Sequence, residues 1–189
     1  MTAIVWGSGL VVVLVVWTQI YRYRCQGFWS QMGQMGALVG GFYLAEHYYL
    51  WLADKLALLL PYLQFSSNSF YAYYPQAVVA HKEEIFFRAL AFSGLCLAVL
   101  CLKNWIWQKT GMNHRGKGGK FWLTGSLVGL VSAWFLLFLI FGVASLVNWP
   151  FIQRLLAENP VADFFIRQTP FLTERVYRMW FEGIAVVNL

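Results

Sequence analysis

Residues 83–105 read EEIFFRALAFSGLCLAVLCLKNW. After two glutamates the run is apolar, broken only by Arg88, for longer than the roughly 20 helical residues needed to cross a hydrocarbon core of about 30 Å. Three other runs in the chain have similar length and apolarity, so membrane-spanning helices are expected over about 3–20, 32–52, 85–107 and 121–148. The composition agrees: 60% of the 189 residues are hydrophobic, 19% are aromatic and only 12% are charged. Such a balance excludes an ordinary soluble domain. The expected fold is all-α, a polytopic membrane protein with four transmembrane helices in two hairpins.

The first run, AIVWGSGLVVVLVVWTQI, is rich in valine, which would favour a strand in water. In lipid a strand satisfies its backbone only inside a closed barrel, and the run lacks the alternation a barrel requires. No basic residue precedes it and no small-residue cleavage pattern follows, so a retained helix is expected rather than a secretory signal.

Charge placement sets an expected orientation. The short connections 21–31 and 103–120 hold Arg22, Arg24, Lys103, Lys109, Arg115, Lys117 and Lys120 and no acidic residue. This basic density places both connections in the cytoplasm and both termini outside. The segment between the second and third helices and the tail 149–189 then lie on the outer side. The tail mixes charges and apolar residues at spacings of three and four, with Pro150 suited to a helix start and Pro160 and Pro170 breaking it into short pieces. It reads as an amphipathic helical tail packed on the bundle or on the membrane surface, beside the four-helix domain 1–148.

The second helix contains GALVG at 36–40 and the fourth GSLVG at 125–129. Glycines four apart make a flat groove, so Gly36, Gly40, Gly125 and Gly129 are expected to pack against a helix of this chain or of another copy.

With the third helix entering from outside, Arg88 lies about one turn below the surface, and Glu84 stands four residues earlier on the same face. Glu46 lies about 9 Å below the same surface on the second helix, with His47 beside it. Glu46, His47, Glu84 and Arg88 thus form a candidate charge cluster. Three readings stand open: a clamp tying the second helix to the third, an ion or proton path lined by Glu46, His47 and Arg88, or an interfacial arginine without a specific partner.

No catalytic constellation emerges. His47, His81 and His114 fall at separate positions, without a metalloprotease or nucleophile-elbow motif, and the three cysteines read as small apolar side chains. No enzyme activity, cofactor or metal is expected. HRGKGGK at 114–120 lacks the strand and hydroxyl residue of a phosphate loop. It reads instead as a turn against anionic lipid headgroups, and nucleic acid is not an expected partner.

The chain resembles the colicin V production protein (CvpA) family, in its Gram-positive form, through YRYRCQG at 21–27, WLADKLALLLPYLQFSSNSF at 51–70, IFFRALAF at 85–92, GGKFWLTGSLVGL at 118–130 and FIRQTPFLTERVYRMW at 165–180. The family pattern has a second basic residue before the glycine, where Cys25 and Gln26 stand here. The resemblance implies an integral protein of the bacterial cytoplasmic membrane associated with production or export of a peptide toxin such as a bacteriocin, without an established molecular activity. Two functions are expected from it and from the residues: a membrane accessory protein acting through contacts with a membrane-protein partner or another copy, in toxin production or envelope maintenance; or a small channel or transporter subunit working as an oligomer.

Overall fold

The computed structural model describes residues 2–24, 26–59, 73, 81–110, 122–147, 149–169 and 172–181. These residues form seven helices and no strand: α1 (Thr2–Arg24), α2 (Phe28–Leu59), α3 (Lys82–Lys109), α4 (Trp122–Leu146), α5 (Pro150–Ala157), α6 (Pro160–Arg167) and α7 (Leu172–Phe181). The first four run for 23, 32, 28 and 25 residues. At 1.5 Å per residue each is longer than the hydrocarbon core is thick. Glu83–Lys109 and Trp122–Leu146 are long and apolar enough to cross a membrane. On that measure the described residues match two of the four expected spans.

The helices continue past the ends expected from hydropathy. α1 includes Arg22 and Arg24, and α2 runs on through Asp54 and Lys55 to Leu59. α3 runs on past the expected end at about 107 to Lys109. Hydropathy falls wherever a polar side chain appears, but lysine, arginine and glutamine are good helix formers, so the backbone hydrogen bonds persist.

The pairing of the long helices also differs from two sequential hairpins. α1 packs chiefly along α4 and α2 chiefly along α3, with lighter contacts of α4 to α2 and α3. Both major pairs are antiparallel: Gly129 lies against Ile20 and Gly125 against Tyr23, while Gly33 meets Trp107 and Gly41 meets Val99. Between α1 and α4 the missing side chains of Gly125 and Gly129 let two backbones approach, while between α2 and α3 Gly33 and Gly41 make room for the side chains of Trp107 and Val99.

α4 is the centre of the molecule. Its buried face carries Phe138, fully enclosed in the same core as Phe92 of α3, whose ring stands edge-on to Phe42 of α2 at 5.4 Å. Beyond α4 the tail breaks at prolines as expected. Pro150 and Pro160 open α5 and α6, positions where a missing N–H costs nothing. Asn159 caps α6 by accepting the Val161 N–H at 3.0 Å. The tail helices pack back on the bundle: α6 and α5 on α4, and α7 on α3. The side chain of Gln153, fully buried, donates to the carbonyls of Ser145 and Val147 at 3.0 and 2.8 Å and so closes the end of α4.

Candidate functional site

Two polar clusters lie at opposite ends of the bundle, separated by the aromatic layer of Phe42, Phe92 and Phe138. The first is built around α7. Its sequence, LTERVYRMWF, puts Val176, Tyr177, Met179, Trp180 and Phe181 on the buried side and Glu174, Arg175 and Arg178 outside. Trp180 is completely buried, edge-on to Phe92 at a centroid distance of 6.3 Å. It reaches so close to Gly142 of α4 that a Cβ there would stand 3.1 Å from the indole. The indole Nε1 has no hydrogen-bond partner among the described residues.

Three side chains hold α7 in this seat. Arg175 donates from Nη2 and Nε to Glu46 of α2, at 2.7 and 3.2 Å. The Tyr49 hydroxyl, also on α2, donates to the Met179 carbonyl at 3.1 Å. From α3, Arg88 donates to the Trp180 carbonyl at 3.4 Å and pairs with Glu84 one turn earlier. The candidate cluster is therefore divided differently from the expected clamp. Glu84 and Arg88 are together, but Glu46 belongs to Arg175, and what these residues clamp is the tail helix. The reason is reach: α7 lies over this end of the bundle and presents a guanidinium to Glu46, which a reading of α2 and α3 alone could not supply. His47 lies apart, exposed and stacked on Tyr43 at 5.7 Å. Glu46, His47 and Arg88 do not line one common path.

The second cluster went unseen in the sequence. Lys103 is 7% exposed, and no carboxylate among the described residues pairs with it. Its ammonium donates to Gln34 Oε1 at 3.2 Å and lies 5.6 and 5.5 Å from the ring centres of Tyr23 and Trp107. The Gln34 amide donates to the Ser132 hydroxyl at 3.3 Å. One turn nearer the helix ends, Thr124 donates to Gln31 Oε1 at 2.9 Å, and Gln31 Nε2 donates to the carbonyl of Gln26 at 3.0 Å. All four long helices meet in this network. The signal available in the sequence was Gln31 and Gln34, three apart near the start of α2, a spacing that puts both on one face.

The glycines divide in the same way. A Cβ at Gly125 would collide with the Tyr23 carbonyl, and one at Gly129 would lie 2.7–2.9 Å from the backbone of Gln19 and Ile20. Around Gly36 and Gly40 there is nothing within 4 Å of such a Cβ. The two GxxxG motifs are thus not equivalent: one is filled by α1 and the other faces outward, while Gly33 and Gly41 make the contact with α3. Among the expected basic residues, Arg22 and Arg24 are exposed in the last turn of α1, their guanidinium groups over the rings of Tyr23 and Trp122 at 5.9 and 5.4 Å. Lys109 is exposed at the end of α3. Arg115, Lys117 and Lys120 lie outside the described residues, as do Cys25, Pro170 and most of the segment between α2 and α3.

Chemically, the arrangement is one of anchoring. The described residues contain no group of three or more histidines, cysteines or carboxylates able to hold a metal. A family model described as Colicin V production protein matches residues 9–170. No curated protein and no solved structure matches the chain. The match spans most of the sequence, and the chain belongs to that family.

Proposed function

Taking membership of the colicin V production protein family as the premise, we propose that the chain is a non-enzymatic accessory protein of the bacterial cytoplasmic membrane. In this reading α1 and α2 span the bilayer alongside α3 and α4. Support comes from their outward faces, where Leu10, Val13, Trp17, Val39, Tyr43 and Trp51 are all more than half exposed, an apolar surface that suits lipid and not water. The basic ends of α1 and α3 face the cytoplasm, contacting anionic headgroups, and both termini lie outside. Cysteines introduced at Ser67 and Asn188 then react with an impermeant thiol reagent in intact cells while Cys25 does not; labelling of Cys25 alone reverses the topology.

The protein acts by contact with another membrane protein or a second copy, in toxin production or envelope maintenance. The open notch at Gly36 and Gly40 carries this reading. The same GxxxG spacing in α4 is filled by a helix backbone, which supports a helix as the occupant of the open notch. A photo-crosslinker at exposed Tyr43, on the same face, should yield a protein adduct of defined mass that disappears when Gly36 and Gly40 are both leucine. Adducts with lipid alone would sink the reading.

A channel or transporter subunit is the second reading, and the buried Lys103 network, a polar centre inside an apolar bundle, favours it. Proteoliposome flux altered by Lys103→Met decides for it; flux absent from the wild type decides against it.

A further inference from the structure

Between α2 and α4 runs a groove of about 680 Å³ that none of the clusters above occupies. The two helices are tied together at one end by Gln34 to Ser132 and Thr124 to Gln31, and at the other end α7 bridges the gap. In between, their walls do not close. Met35, Val39 and Phe42 form one wall, and Val131 and Trp134 belong to the other. The lining is apolar except at the α7 end, where Arg175 reaches in. Glu46 lies one turn beyond Phe42 on the same face of α2, so the Arg175–Glu46 pair stands at the mouth of the groove.

The groove therefore has a direction. It is closed by hydrogen bonds at one end, walled by side chains that offer nothing polar, and finished at the other end by a guanidinium whose side chain is 62% exposed. We propose that this groove is a phospholipid site, with one acyl chain between α2 and α4 and the headgroup phosphate on Arg175. A planar guanidinium with donors beyond those used by Glu46 suits a phosphate oxygen. A single alkyl chain needs only apolar contact along its length, which Met35, Val39, Phe42, Val131 and Trp134 supply. The proposal rests on the bundle being embedded in a bilayer.

Native mass spectrometry of the full chain, delipidated in mild detergent and titrated with dioleoyl phosphatidylglycerol or with dioleoylglycerol, tests it. The expected result is a single tightly retained phosphatidylglycerol and no comparable retention of dioleoylglycerol, which lacks the phosphate. Arg175→Gln should lower that occupancy about tenfold, the worth of one charge-assisted contact. Val39→Trp and Val131→Trp, both at exposed wall positions, should fill the groove and abolish it while helix content stays at the wild-type level. Glu46→Gln separates a lipid site from a purely structural ion pair: freeing Arg175 should raise phosphatidylglycerol occupancy, whereas a clamp alone would give no rise. Several lipids bound in a graded series, indifferent to Val131→Trp and Arg175→Gln, would overturn the proposal. Release of the chain from membranes by alkaline carbonate would instead overturn the embedded reading itself.

Discussion

Alanine at Gly129 should destabilise the bundle, and alanine at Gly40 should not. In a helix interior the exchange by itself gains about 1 kcal/mol, because glycine loses more backbone freedom on folding. At Gly40 nothing lies within 4 Å of the new methyl, so that gain should survive nearly whole. At Gly129 the methyl would stand 2.7 Å from Ile20 Cα, 2.8 Å from the Gln19 carbonyl oxygen and 2.9 Å from the Ile20 nitrogen. All three are backbone atoms of α1 and cannot rotate aside, so the helices must separate, at an overpacking cost of about 1–3 kcal/mol. With contacts this short the upper half of that range applies, leaving a net loss of about 1–2 kcal/mol after the helix-propensity gain. The two variants should thus differ by about 2–3 kcal/mol, or roughly 5–10 °C in midpoint for a chain of this size. Valine at Gly129 should cost more, since its branched side chain adds bulk at the crossing without the same propensity gain. The assay is unfolding of purified protein in mixed detergent and dodecyl sulfate, followed by circular dichroism. Equal stability of Gly129→Ala and Gly40→Ala would refute the claim that α1 and α4 meet through this notch.

Other perturbations test the two polar clusters. Lys103→Met strands the Gln34 carbonyl oxygen in the interior and should cost about 1–3 kcal/mol; combining it with Gln34→Leu should restore part of the loss, and strict additivity in detergent melts would show that the two do not interact. Trp180→Ala empties the seat of α7 and should cost about 3–5 kcal/mol, read as rapid proteolysis of the tail ahead of the bundle; a tail as resistant as the wild type would contradict the observed packing. Arg88→Ala removes the bond to the Trp180 carbonyl and should speed the same cleavage, with Arg88→Lys milder because a single ammonium can hold only part of the fork. Gln153→Ala uncaps the end of α4 and should cost about 1–3 kcal/mol, where a change within error would mean that solvent replaces its two bonds.

The four long helices and the broken tail followed from residue order alone, for physical reasons that act locally. A run read as lipid-embedded must satisfy its own backbone, which leaves helix as the expectation for every run of sufficient length. Proline is excluded from a helix interior but suits its first turn, and accordingly Pro150 and Pro160 mark the starts of α5 and α6. The pairing of Glu84 with Arg88 was legible for the same reason, since four residues on one helix are neighbours whatever surrounds them.

What the tertiary structure alone decided is which surfaces meet. GALVG and GSLVG look alike as strings, yet only Gly125 and Gly129 have a helix against them. Glu46 found Arg175, which is 129 positions away in the chain, and no local spacing encodes such a meeting. Lys103 looks like any lysine near a helix end, but Gln34 of α2, the Tyr23 ring of α1 and the Trp107 ring of its own helix surround its ammonium in place of water. Side-chain burial depends on the angle and approach of neighbouring helices, and those are set by the sum of contacts along their whole length.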